Sequence, residues 1–162
     1  MLSQTRESIE TVPNELLVQS VKEVLQELEL FHIDKVRFLE GKIVFTGNFL
    51  VAMVGFSGRV AGLLSIFCSQ QLALKVTGQF WGTPVDAVNA QVRDALGELA
   101  NIIAGRLKKL LEEIVPEAIH LSIPTVIEGT NFSTNRFNTG QNRLLCVQGK
   151  EGVFYVQLSV KA

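Results

Sequence analysis

Between Asp86 and Pro116 the chain carries one long, one-sided helical pattern, and this stretch constrains the fold more than any other. Either Asp86 or Asn89 can cap its start, and the helix is expected to run to about Val115 before Pro116 stops it. With 100° allotted to each residue and Asp94 placed at the origin, Leu96, Leu99, Ile103, Leu107, Leu110 and Ile114 gather near roughly 200°. That apolar side must be buried against another layer. On the opposite side Asp94, Glu98, Asn101 and Gly105 fall within about 60° of one another. Gly97 and Gly105 each cost the helix about 1 kcal/mol relative to alanine. Periodicity alone favours reading the polar stripe as a solvated face.

The rest of the chain supplies the layer to be covered. Residues 1–13 are polar, end at Pro13 and read as a loose lead-in. Asn14 can cap a helix reaching to about residue 30, with Leu17, Val21, Val24, Leu25 and Leu28 as its apolar stripe. Strands are expected over 35–40, 42–47 and 50–57, broken at Gly41 and at Gly47-Asn48. Ser57-Gly58-Arg59 marks an antiparallel hairpin. A short helix over 70–80 turns Leu72, Ala73, Val76 and Phe80 inward and stops at Gly82 and Pro84. Strands follow near 119–128, 142–149 and 152–161, with an Asn- and Gly-rich loop over 129–142 and a tight turn at Gly149–Gly152. Helix, strands, two helices, strands: this order predicts an α+β layer structure around a mostly antiparallel sheet, folded as a single domain over 1–162. No βαβ alternation supports a doubly wound nucleotide fold.

Composition narrows the function. Hydrophobic residues make up 47% of the chain and charged residues 19%, an apolar surplus that points to an oligomer interface. The net charge of −1, with no basic stripe, argues against nucleic acid or a membrane surface as partner. The N-terminus has no apolar signal core and no run reaches membrane-spanning length, so a cytoplasmic location is expected. Cys68 and Cys146 lack metal-ligand spacing and read as buried thiols. His32 and His120 lie beside apolar residues and read as satisfied structural histidines. No serine-hydrolase elbow, phosphate loop or zinc motif occurs. The chain is expected to own neither nucleophile nor metal.

The spacing of Asp94, Glu98 and Asn101, followed by Pro124, resembles the D-x3-E-x2-N-x22-P signature of the CheC/CheX/FliY phosphatases of bacterial chemotaxis. The segment GFSGRVAGLLSIFCSQQLALKVTGQFWG (55–82) is similar to the hairpin and short helix that precede the signature helix in that family, and IPTVIEG (123–129) to the strand that follows it. The resemblance covers about 45–160 and is closer to CheX than to two-site CheC. In the first helix Gln19, Glu23 and Gln26 repeat the signature spacing, but Gln26 replaces the Asn and Leu30 the glycine, which reads as a degenerate second site.

The resemblance implies a layered CheC/CheX-like fold and hydrolysis of the aspartyl phosphate of a CheY-like receiver domain. The receiver would bring the phosphorylated aspartate, a lysine and a bound Mg²⁺, so no cofactor of the chain's own is implied. Asn101 would orient the attacking water, since a carboxamide both donates and accepts, and Glu98 would pair with the receiver lysine. Asp94, Gly105 and Pro124 would support the site. A homodimer associating through strand edges is implied as well. The alternative is a non-catalytic adaptor for a receiver or a CheD-like protein. Lys108 and Glu112 continue the stripe and read as a solvated i, i+4 pair.

Overall fold

The computed structural model describes residues 12–115, 117–134 and 140–161. Helix α1 (Asn14–Leu28) leads into strand β1 (Ile33–Leu39), and β2 (Val44–Gly58) turns back into β3 (Gly62–Ser69). Two helices follow, α2 (Gln70–Trp81) and α3 (Ala90–Ile114), and then β4 (Ile119–Leu121), β5 (Thr125–Ser133), β6 (Gln141–Gly149) and β7 (Gly152–Val160). The strands form one seven-stranded sheet in the order β1-β6-β7-β3-β2-β4, with β5 also on β2. Every ladder is antiparallel. The expected α+β architecture is the one found.

The three helices lie on one face of the sheet. Leu17, Val21 and Leu25 from α1, Leu72 and Val76 from α2, and Leu96, Leu99, Ile103 and Leu107 from α3 share one core with Leu50, Val54, Leu64, Ile66, Leu145 and Val156. Full burial of each such leucine or isoleucine contributes about 1.5–3 kcal/mol. The other face of the sheet carries a second, aromatic cluster around Phe45, Val51, Phe67 and Leu144. Phe45 stacks on Phe67 with ring centroids 4.7 Å apart. Part of the apolar surplus in the composition is absorbed there.

Several boundaries differ from expectation. Gly47-Asn48 does not end a strand: β2 runs through it with a shift of register against β5 between Phe45 and Asn48. Gly47 takes φ +89° at this bulge, where a glycine is favoured, and its N–H donates to Asn131 Oδ1 at 3.3 Å. Residues 129–133, expected in a loop, complete β5, because Phe132 joins the aromatic cluster. The expected strand 119–128 is two strands parted at 122–124. Val12, assigned to a loose lead-in, is 1% exposed and its N–H donates to Gln141 Oε1. Residues 1–11 of that lead-in, the stop at Pro116 and residues 135–139 of the polar loop lie outside the described residues. The apolar stripe of α3 frays at its end, where Ile114 is 52% exposed.

The caps of the site helix follow its sequence. Asn89, not Asp86, is the N-cap, its Oδ1 accepting the Val92 N–H at 3.1 Å. Val115 ends the helix in an extended conformation, as a residue before proline must. Both cysteines are buried, and burial pushes the Cys68 thiol up to about 12, which leaves it inert.

Candidate active site

Helix α3 is held from below and from both flanks. Its buried stripe rests on the sheet. On one flank Gly97 meets the chain between β4 and β5. A Cβ added at Gly97 would lie 3.4 Å from Val126 Cγ2 and 3.5 Å from Pro124 Cβ, so the missing side chain lets that segment close on the helix. Ser122 fixes the segment to β2: its N–H donates to the Gly55 carbonyl at 2.8 Å and its Oγ accepts the Gly55 N–H at 2.9 Å. Pro124 thus lies beside the helix, against the backbone of Gly97. On the other flank Arg106 reaches α1, donating to Glu23 Oε2 at 2.6 Å and to Glu27 Oε2 at 2.5 Å.

Between these flanks one ridge stays open. Asp94 and Glu98 are exposed, and Asn101 and Gly105 are half-buried. Asp94 to Gly105 spans about 16.5 Å along the helix at 1.5 Å per residue, with Glu98 and Asn101 about 4.5 Å apart along the axis. Among the described residues no side chain pairs with Asp94, Glu98 or Asn101. Their hydrogen-bonding groups are therefore available to another molecule. Gly105 has nothing within 4 Å of a built Cβ. It is thus not a packing glycine against a neighbouring strand, and the ridge is flat there.

A depression of about 510 Å³ adjoins the ridge, lined by Arg93, Asp94, Gly97, Glu98, Pro124 and Val126. Spacing brought Asp94, Glu98 and Pro124 to notice but not Arg93 or Val126. Arg93, at the edge of the depression, pairs with Glu128 of β5, Nη1 to Oε1 at 2.6 Å. No sequence interval signals a contact between residues so far apart. The helical cost of Gly97 was the available clue, and its meaning depended on where Pro124 would land.

The degenerate second site differs in kind. Glu23 of α1 is engaged inside the chain, accepting from Gln19 Nε2 at 2.8 Å as well as from Arg106. Hydrogen bonds from Gln19 and then Arg106 hold the Glu23 carboxyl below its ordinary 4.5, and Arg106 does the same to Glu27. A depressed carboxyl stabilises the fold fully above its unfolded value and loses that contribution as pH falls through the folded one. Arg106→Gln is therefore expected to lower the melting temperature at neutral pH. The difference from the unaltered chain should vanish once the pH is well below 4.5, which thermal melts across that range check.

The remaining candidates fall away from the ridge. His32 has the partner expected of a structural histidine, Glu151, although its side chain is 67% exposed. His120 is exposed and lies outside the core, contrary to expectation. Lys108 and Glu112 form the expected i, i+4 pair at 3.9 Å, and Glu112 also accepts the Ile119 N–H. Among the described residues no group of three or more His, Cys, Asp or Glu is placed to hold a metal ion. None of the described helices is long and apolar enough to cross a membrane.

Several solved structures share this architecture. CheX from Desulfovibrio desulfuricans superposes with a TM-score of 0.76 at 19% identity, covering 91% of this chain and 97% of that one. The CheX-CheY-BeF3-Mg²⁺ complex from Borrelia burgdorferi gives 0.76 at 20% identity, covering 91% and 97%. FliY from Thermotoga maritima gives 0.60 at 16% identity, covering 91% of each chain. In sequence, the family described as chemotaxis phosphatase CheX matches residues 50–147. The CheY-P phosphatase CheX of Thermotoga maritima is 30% identical over 114 residues, 70% of this chain and 72% of that protein. The chain belongs to the CheX family of chemotaxis phosphatases.

Proposed function

We propose that this chain hydrolyses the aspartyl phosphate of a CheY-type receiver domain, using the open ridge of α3. The observation that carries the reading is Glu98 and Asn101, unpaired among the described residues and side by side on a helix otherwise tied down on three sides. Membership of a phosphatase family supports it, as do the CheY-P phosphatase named among its relatives and the CheX solved together with CheY, BeF3 and Mg²⁺.

Phosphoryl transfer to water depends mainly on positioning and charge stabilisation. Glu98, as a carboxylate, accepts from the receiver lysine and anchors the ridge against it. Asn101, one turn further on, accepts a hydrogen bond from water through its carboxamide oxygen and donates from its NH2 group. The water is thereby held in line with the bond to be broken. Its oxygen bonds to phosphorus as the bond from phosphorus to the aspartyl oxygen breaks. The products are inorganic phosphate and the aspartate carboxylate, and the water's proton leaves with phosphate or solvent. A Mg²⁺ carried by the receiver supplies neutralisation of the phosphoryl oxygens. Asp94 borders the site, Pro124 braces the helix through Gly97, and Gly105 leaves room for the partner's backbone.

Catalysis and adaptor binding separate by stoichiometry. With the chain at one-tenth the receiver concentration and a phosphodonor present, phosphate released beyond the receiver's own decay should exceed one equivalent per chain. The alternative, a non-catalytic adaptor for a receiver or a CheD-like protein, yields no phosphate beyond the receiver's own decay. Cytoplasmic action follows from a receiver substrate. Association of two copies through sheet edges belongs to the same reading, since β1 and the β4–β5 side end the sheet.

Gly105 gives a test in two directions. Gly105→Ala gains about 1 kcal/mol of helix propensity, and no atom within 4 Å obstructs the new methyl. The melting temperature should rise by about 2–4 °C. Gly105→Leu should lower the phosphatase rate by blocking the partner. An unchanged rate in the leucine variant would reduce Gly105 to an accident of sequence.

A further inference from the structure

The depression beside the ridge has a built chemistry of its own. Its floor is apolar and shallow, where Pro124 and Val126 close on the bare backbone of Gly97. Its rim carries two carboxylates, Asp94 and Glu98, and a single cation, Arg93. Arg93 lies five residues before Glu98, about 7.5 Å along the helix axis and about 140° around it, on the Gly97 flank of the ridge. Glu128 engages it at Nη1 while both side chains stay 44% exposed. A guanidinium has five N–H donors, so up to four remain to face an incoming group. The pair holds the guanidinium in place at the rim without covering it.

We infer that Arg93, oriented by Glu128, is a specificity residue: it docks a carboxylate on the receiver surface along the Gly97 flank of the ridge, across that ridge from the lysine that Glu98 takes. The inference rests on the receiver reading above. Two opposite charges on one rim, Glu98 and Arg93, demand a partner with a cation and an anion in matching order. A receiver with the lysine alone satisfies half of that demand. The apolar floor accepts the aliphatic part of the partner's side chain between them. Arg93 touches neither the water nor the phosphoryl group. It selects which receiver is bound and in what orientation.

An exposed pair of this kind contributes little to stability, so its loss alone does not unfold the chain. The test uses a panel of CheY-type receivers charged with acetyl phosphate and takes the one that the unaltered chain dephosphorylates fastest. Arg93→Glu should raise KM for that receiver at least tenfold with kcat within twofold. Glu128→Gln keeps the cation but releases it from its oriented position, and should raise KM by about two- to threefold, well short of Arg93→Glu. Arg93→Lys should restore part of the affinity. KM within twofold of normal in Arg93→Glu overturns the inference. So does an equal loss in Arg93→Glu and Glu128→Gln, which would make the pair a structural tie, and so does a loss confined to kcat. If the unaltered chain accelerates no receiver in the panel, the phosphatase reading itself fails, a different result from any of these.

Discussion

Asn101→Ala is expected to slow receiver dephosphorylation by about 100-fold or more, the scale on which removing one preorganised hydrogen-bonding group acts. The fold should not notice. Asn101 is half-buried on the outer ridge and no described side chain depends on it, so the change in stability should stay within about 0.5 kcal/mol. Affinity for a beryllofluoride-loaded receiver should also survive, because the carboxamide is assigned to the water and not to the partner. Melting curves, binding and turnover on the same preparation separate these effects. A variant that is inactive because it is unfolded would discredit the division of α3 into a structural and a chemical side. One that folds and keeps its rate would discredit the role of Asn101.

Glu98→Ala should behave differently, raising KM and lowering kcat together. A close charge pair desolvated on docking contributes about 2–5 kcal/mol, or some 30-fold or more in affinity. Its loss also frees the ridge to shift, and small misplacements of a water-orienting group are costly. Glu98 is exposed and unpaired among the described residues, so stability should again hold. Glu98→Gln keeps the size and one acceptor and should fall between the two. If only kcat fell, pairing with the receiver lysine would be the wrong role for Glu98.

Both variants probe a face that the sequence shows unusually well. A helical period places Asp94, Glu98, Asn101 and Gly105 on one line wherever the helix lies, because the angles are internal to the helix. The apolar side was legible for the same reason, and so was the α+β layering that buries it. Contacts between elements were not. That Pro124 would land on Gly97 depends on how the 122–124 segment is stitched to Gly55, a matter of strand pairing. Arg93 and Glu128 meet because β5 runs beside α3, and neither residue belongs to a spacing pattern. Glu23 matched the signature spacing, yet Arg106 engages it from a neighbouring helix. Local periodicity could not tell that carboxylate from Glu98; tertiary contact does. The bulge at Gly47 shows the same limit, since a glycine-asparagine pair suits a turn and a bulge alike.

The central claim is that Asn101, half-buried on the outer ridge of α3, places the water that attacks a partner's phosphoryl group. Single-turnover decay of an aspartyl-phosphorylated CheY-type receiver, in saturating excess of the chain, tests it most directly. Decay should be much faster than that of the receiver alone, and saturating Asn101→Ala should return it to the receiver's own rate. Equal acceleration by both chains, or by neither, would contradict the account.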